Sequence, residues 1–196
     1  MTFHLSSLFS SDNSSNSQAC ASFSIRAAPW DGTKILVHPA GYPIDAPPMY
    51  TIAISSSGKS NVIVSRGWGG GPWDVVGDAQ LPNFSSKIRL NIHGQQTEMR
   101  YSEMSGNSTF QSPSMGKLKW KLDPMSTKKM DLVNDYGTRV ANVHGGKASG
   151  EKMLDILVPH DIFFLEIALL SGWANRAQNK TALETSGEVL GAVLGA

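Results

Sequence analysis

The sequence predicts a mainly β domain, a barrel or a sandwich, with one buried helix near the C-terminus. From residue 49 onward, short segments with a two-residue apolar alternation recur roughly every ten residues. The 196-residue chain contains 19 glycines and only 17% charged residues, a composition that favours many short strands joined by turns. Strands do not alternate with helices along the chain, which argues against Rossmann and TIM-barrel architectures.

The N-terminal region is rich in serine and asparagine, and we expect residues 1–24 to be disordered. No basic segment precedes the first apolar residues, so no signal peptide is predicted. The single Cys20 excludes an intrachain disulfide and a multi-cysteine zinc site. With a formal net charge of +1, the chain gives no reason to expect nucleic-acid binding. We therefore expect an intracellular protein, either cytoplasmic or peripheral to a membrane.

Five prolines interrupt residues 25–48, and we expect this segment to be extended but irregular. The first regular hairpin is predicted from residues 49–55 and 61–65, because both are apolar and alternating and a Ser/Gly-rich turn separates them. Further strands are predicted at 74–81, 87–92, 97–101, 117–122, 130–133, 139–143 and 151–158.

A glycine-rich loop with two tryptophans, Trp68 and Trp73, follows the first hairpin. Its glycines lack the spacing of a dinucleotide-binding loop, and no helix follows it. The tryptophans either pack on the rim of the barrel or form an exposed interaction loop.

Residues 161–173 predict a helix that is apolar around nearly its whole circumference. A membrane span needs about 20 apolar residues, and this run is shorter, so a helix buried in the core at about 161–175 is favoured. Glu166 is the only charge in the run, so it must reach a partner or the barrel mouth, and we expect a structural role for it. The glycine-spaced tail, residues 179–196, is expected to be weakly ordered.

Three segments together resemble one known family. The strand at 117–122 has a central Trp120, residues 131–141 form a hairpin, and residues 153–161 lead into the apolar helix. Over residues 48–178, this order of elements resembles the tubby C-terminal-like superfamily. That superfamily includes the LURP-one-related domains and the phospholipid scramblases, and the chain is most similar to small tubby-like proteins of fungi.

The resemblance implies a closed antiparallel β-barrel of about twelve strands around a central hydrophobic C-terminal α-helix. The barrel domain would cover residues 25–178. The resemblance also implies that basic residues on the barrel bind phosphoinositides, although no phosphoinositide motif of the family transfers residue by residue.

Positive charge is concentrated between residues 117 and 152, a segment that contains eight basic and four acidic residues. Alternation places three lysines on the strand face opposite Trp120, and two more follow in the next loop. The five candidate residues are Lys117, Lys119, Lys121, Lys128 and Lys129. They form either an ordinary solvated strand face or a site for an anionic lipid headgroup, each charge adding about 1 kcal/mol near a membrane.

Motifs for catalysis are missing from the sequence. The five histidines are scattered, no G-x-S-x-G is present, and Gly58-Lys-Ser60 belongs to a hairpin turn and not to a phosphate-binding loop. We expect a non-enzymatic binding module without a metal or other cofactor, whose partner is an anionic phospholipid at a membrane surface. The alternatives are a protein-interaction or regulatory barrel that uses the Trp68 and Trp73 loop, and a scramblase-like membrane protein.

Overall fold

The computed structural model describes residues 19–55, 61–69, 71–82, 85–123, 125–148 and 150–194. These form twelve strands, one turn of 3-10 helix at Pro72–Asp74 and one long helix, α1, at Ile162–Leu194. The strands are β1 (Ala21–Ala28), β2 (Asp31–Pro39), β3 (Tyr50–Ile54), β4 (Val62–Arg66), β5 (Val75–Gln80), β6 (Lys87–Ile92), β7 (Gln95–Ser102), β8 (Asn107–Ser112), β9 (Gly116–Asp123), β10 (Ser126–Asn134), β11 (Arg139–Gly145) and β12 (Lys152–Ile156).

Each strand pairs antiparallel with its neighbours in sequence, and β1 also pairs with β12, so the sheet closes on itself. Across this closure Ala21 lies opposite Ile156, and Ile25 lies opposite Lys152. Closure removes the free strand edges whose unpaired amides would otherwise invite aggregation. The predicted closed antiparallel barrel of about twelve strands around a C-terminal helix is confirmed.

The two-residue period of the strands separates the inside of the barrel from the outside. In β9, Leu118 and Trp120 are buried, whereas Lys117 and Lys121 are exposed. The same alternation buries Ile88, Leu90 and Ile92 in β6. Large side chains fill the barrel, so its interior is a packed core around α1 and not a channel.

Helix α1 begins at a capped terminus and passes through this core. The backbone N–H of Phe164 donates to Asp161 Oδ1 at 2.8 Å, which satisfies one of the free amides of the first turn. Residues 164–175 are all buried, so the helix is covered on every side. This explains the apolar circumference that the sequence shows.

The barrel has two ends, which we name by the path of the helix. At the entrance end lie the start of α1, the His93–Gly94 turn and the loops that follow even-numbered strands. At the exit end lie the turns between β7 and β8 and between β9 and β10. There the Asn179 side chain donates to the carbonyl of Gly106 at 3.2 Å.

The helix is longer than predicted, which corrects one expectation. It does not end near residue 175 but continues to Leu194, through most of the segment that was predicted as a tail. The barrel holds the preceding turns in place, so elongation needs no new nucleation, and Ala, Leu and Glu favour it. At 1.5 Å per residue, residues 182–194 add about 20 Å beyond the exit end.

The N-terminal prediction is also corrected. Residues 21–24, expected to be disordered, begin β1, and the proline-containing segment that was expected to be irregular contains the rest of β1 and β2. Residues 22–26 alternate between polar and apolar side chains, which is a strand signal, and pairing with β12 and β2 on either side stabilises the strand. Residues 1–18 and Gly58-Lys-Ser60 lie outside the described residues.

Candidate functional site: a basic groove on the barrel wall

The three lysines of β9 lie on the outer wall, as predicted, but their surroundings differ. Lys117, towards the entrance end, forms an ion pair with Asp135, with Nζ 3.7 Å from Oδ1. Lys119 is partly exposed and Lys121 is exposed. The other two candidates were predicted in the loop that follows, but Lys128 and Lys129 lie in strand β10, because the turn before it is short. Lys129 is exposed, and the side chain of Lys128 lies outside the described residues. The predicted patch therefore divides into separate environments.

Lys121 and Lys129 line a groove of about 500 Å³ on the outer wall across β9, β10 and β11. The groove combines charged and polar side chains from all three strands. Its polar lining consists of Lys121, Asp123, Lys129, Asp131, Arg139, Asn142 and His144. Arg139, Asn142 and His144 were not among the predicted site residues, because they join the groove only through strand pairing.

The charges in the groove do not cancel. Arg139 Nη1 lies 3.7 Å from Asp131 Oδ1, so this cation and this anion largely neutralise each other. Asp123 accepts the backbone N–H of Met125 at 2.8 Å. No described carboxylate lies within ion-pair distance of Lys121 or Lys129. Two ammonium groups therefore remain available to an external anion.

Uncharged hydrogen-bonding groups lie beside these cations. Asn142 Oδ1 is buried and has no hydrogen-bond partner among the described residues. His144 Nε2 lies 2.9 Å from Asp155 Oδ2, and Asp155 Oδ1 accepts the Ser22 hydroxyl at 2.7 Å. This row of contacts across β11, β12 and β1 holds the imidazole in position.

The two predicted aromatic candidates lie in different environments. Trp73 is 96% exposed and has no ring contact among the described aromatic residues. The indole of Trp68 instead lies 5.6 Å from that of Trp30, and the two rings are inclined by 48°. Trp30 and Trp68 are 62% and 46% exposed. No local pattern pairs Trp68 with Trp30, which lies in the turn between β1 and β2, because the two rings meet only in the folded barrel.

Glu166 has the partners that its position in the helix required. Its carboxylate is fully buried, and Oε1 accepts hydrogen bonds from Arg66 Nε at 3.1 Å and Arg66 Nη2 at 3.0 Å. The Tyr50 hydroxyl donates to the same oxygen at 3.2 Å, and His93 Nε2 lies 2.5 Å from Oε2. The sequence predicted that Glu166 reaches either a partner or the barrel mouth, but it could not identify these three residues.

The Glu166 cluster fits a structural clasp better than a reaction centre. Both carboxylate oxygens are occupied, so neither is free to accept a proton from a substrate. Burial, followed by the negative charge of Glu166, raises the pKa of the Tyr50 phenol well above its ordinary value, so Tyr50 stays a hydrogen-bond donor. Arg66 and His93 come from β4 and from the β6–β7 turn, so the cluster ties α1 to the barrel at the entrance end.

Comparison with known proteins gives no further guidance to the site. No protein-family model matches the chain, and no curated protein or solved structure matches it significantly. Among the described side chains, no three histidine, cysteine or acidic groups come together as metal ligands. Within the described part of the chain, no helix has both the length and the apolar character needed to cross a membrane.

Proposed function

We propose that this protein is a non-enzymatic binding module that holds an anionic phospholipid headgroup in the groove of β9, β10 and β11. The observation behind the proposal is the pair of lysines, Lys121 and Lys129, which face the groove without a described acidic partner. A phosphate group would supply the missing negative charge. A peripheral position on a membrane follows from this ligand.

The rest of the groove suits a headgroup that also has hydroxyl or amine groups. Asp123 and Asp131 can accept hydrogen bonds, while the lysines and Arg139 can donate them. A bare inorganic anion would use only the donors. A phosphorylated headgroup with donors of its own would use both sets.

The architecture also supports a proposal about the family to which the chain belongs. A closed twelve-strand barrel around a C-terminal helix is what a tubby-like or LURP-one-related chain would have. We propose that the chain belongs to that superfamily, and lipid binding fits this placement.

Cosedimentation with phosphatidylcholine vesicles that contain phosphatidylserine tests the proposal. Each lysine near an anionic surface contributes about 1 kcal/mol, so Lys121→Gln/Lys129→Gln should weaken binding roughly 30-fold. Lys117→Gln is the matched control, because Lys117 lies on the same strand but is paired with Asp135. Equal binding by the double variant and the wild type, or no binding by the wild type, would refute the proposal.

A protein-interaction module is the second candidate function, and the exposed Trp30–Trp68 pair favours it. Two large adjoining rings at the surface are typical of the centre of a protein interface. Affinity capture can compare wild-type bait with Trp30→Ala/Trp68→Ala and with Trp73→Ala. A partner retained by the wild type and by Trp73→Ala but lost by the double variant would support this function.

A further inference from the structure

Two methionines at the exit end are exposed to an unusual degree. Met104, in the β7–β8 turn, is completely exposed, and Met125, in the β9–β10 turn, is 93% exposed. Methionine is a flexible apolar residue that usually lies in a core. Because β8 pairs with β9, the two turns are adjacent along the same rim of the barrel.

The Met125 turn is structurally joined to the groove. Asp123 lines the groove at its exit-end side, and its carboxylate accepts the backbone N–H of Met125 at 2.8 Å. This hydrogen bond sets the direction of the turn relative to Lys121, two residues before Asp123. An anion bound between the lysines would therefore lie beside an exposed apolar tip.

The helix leaves the barrel at the same end. Asn179 contacts the β7–β8 turn, Lys180 and Thr181 are exposed, and the helical backbone continues to Leu194. The sequence of residues 182–194 contains only two charges, Glu184 and Glu188, and is otherwise mostly apolar or small. The exit end thus combines two methionine tips with an apolar helical extension.

We propose that the exit end is the surface that enters the membrane, with Met104 and Met125 reaching the acyl chains while Lys121 and Lys129 hold headgroups. This inference rests on the proposed function and gives it an orientation. The two methionines lie on separate tips beside polar residues such as Glu103 and Ser105, so they do not form the continuous apolar patch of a protein interface. A membrane presents anionic headgroups above an apolar interior. Single apolar tips next to lysines without an ion pair match this order of layers.

The entrance end then faces away from the membrane. Its exposed apolar residues include Trp73, in the β4–β5 loop, and Tyr136, in the β10–β11 turn. They lie on the opposite side of the barrel from the methionines, so one docking pose cannot bury both sets. Substitutions at the two ends therefore give matched tests of orientation.

Vesicle binding by Met104→Gln/Met125→Gln tests the inference in the full chain. Loss of two buried methionine contacts should weaken binding to vesicles with phosphatidylserine roughly tenfold to hundredfold. Binding of soluble glycerophosphoserine should not change, because the groove is intact. Trp73→Gln/Tyr136→Gln is the control, and it should bind vesicles like the wild type.

The possible results separate this inference from the proposed function. If the methionine variant binds vesicles fully while Lys121→Gln/Lys129→Gln binds them weakly, insertion is overturned but headgroup binding is retained. If only Trp73→Gln/Tyr136→Gln loses vesicle binding, the orientation is overturned. No effect from the lysine variant would remove the headgroup site itself.

Insertion can also be measured directly. Met125→Cys in a Cys20→Ser background provides one site for an environment-sensitive dye. Its emission should shift to the blue on addition of the same vesicles, while the dye at Tyr136→Cys in that background should not respond. A shift at Tyr136→Cys and none at Met125→Cys would contradict the proposal.

Discussion

At the scale of single residues, Glu166 shows how a charge can occupy the centre of an apolar helix. Burying an ionised carboxylate is costly unless charged and hydrogen-bonding partners replace water. Arg66, His93 and Tyr50 provide these partners from three different places on the barrel. The polar cluster also gives the helix one preferred rotation and depth, which apolar contacts alone would specify less sharply.

Removal of Arg66 alone should destabilise the protein more than removal of the charges of both Arg66 and Glu166. Arg66→Ala leaves the buried carboxylate without its guanidinium and should lower the free energy of unfolding by about 2–4 kcal/mol, since Arg66 itself is half exposed. In Arg66→Ala/Glu166→Gln the carboxylate is absent, so much of this loss should be recovered. Urea denaturation measures both values. A double variant as unstable as the sum of its single variants would contradict the clasp.

The raised pKa of Tyr50 predicts a loss of stability in alkali. An unfolded tyrosine ionises near pH 10, whereas the folded Tyr50 keeps its proton to higher pH. The folded state then binds more protons than the unfolded state, so stability should fall as the pH rises above about 10. Tyr50→Phe should be less stable at pH 7 but should lose stability less steeply above pH 10. Parallel pH profiles for the two proteins would show that Tyr50 is not responsible.

At the scale of elements, the fit of α1 inside the barrel depends on small residues at close contacts. A Cβ at Gly77, in β5, would lie 2.6 Å from the Asn91 carbonyl and 3.1 Å from the Leu170 side chain. On the helix, a Cβ at Gly172 would lie 3.1 Å from the Trp120 ring. The Trp120 indole donates to Ser171 Oγ at 2.9 Å, so β9 and α1 are joined by both packing and a hydrogen bond.

Gly77→Ala should therefore destabilise the barrel. The added methyl group meets backbone, which cannot move away easily, and overpacking of this kind costs about 1–3 kcal/mol. Gly145→Ala, in β11, is the matched control, because its Cβ would meet no atom within 4 Å. Thermal unfolding should show a lower Tm for Gly77→Ala and a Tm close to that of the wild type for Gly145→Ala. Equal Tm values for the two variants would contradict the close packing around Gly77.

The elements differ in how far their sequences predict them. The alternation in β9 and the β10–β11 hairpin identified these strands correctly, because each has one buried face and a turn signal. No strand was predicted at β8, since five of its six residues are uncharged and polar. Ser108 in β8 is nevertheless buried and hydrogen-bonded to Asn175, so the polar residue belongs to the core.

At the scale of the whole molecule, closure of the barrel orders the N-terminal strand. Strand β1 has hydrogen-bonded neighbours on both sides, β12 at one edge and β2 at the other. Phe23 and Ile25 point into the core, while Ser22 and Ser24 lie on the alternate face. A serine-containing segment is thus held on one side by β2 and on the other by β12, a strand more than 100 residues away in the chain.

Native-state hydrogen exchange should reveal this closure. The amides of Phe23 and Ile25 should exchange as slowly as those of Ile88 and Leu90 in β6, because neither strand lies at a sheet edge. Exchange can be followed for each amide by NMR. Rapid exchange throughout β1 and β12 together with slow exchange in β6 would indicate an open sheet.

The candidate site also depends on the whole molecule. The local excess of lysine was visible in the sequence, and it led to Lys121 and Lys129. The selection of those two over Lys117 depends on Asp135, a residue of the next hairpin. The register of β11 with β10 brings three further residues to the groove: Arg139, Asn142 and His144. No local sequence pattern predicts this register.

The sequence alone determined the mainly β class, the buried helix and the need of Glu166 for a partner or a place at the barrel mouth. These follow from the periodicity of apolar residues and from the cost of burying a charge, both of which are local properties of the chain. Tertiary structure decided the closing strand, the length of the helix, the identity of the Glu166 partners and the groove that leaves two lysines unpaired. Each of these depends on contacts between residues far apart in the chain, because pairing and packing are made only when the barrel closes.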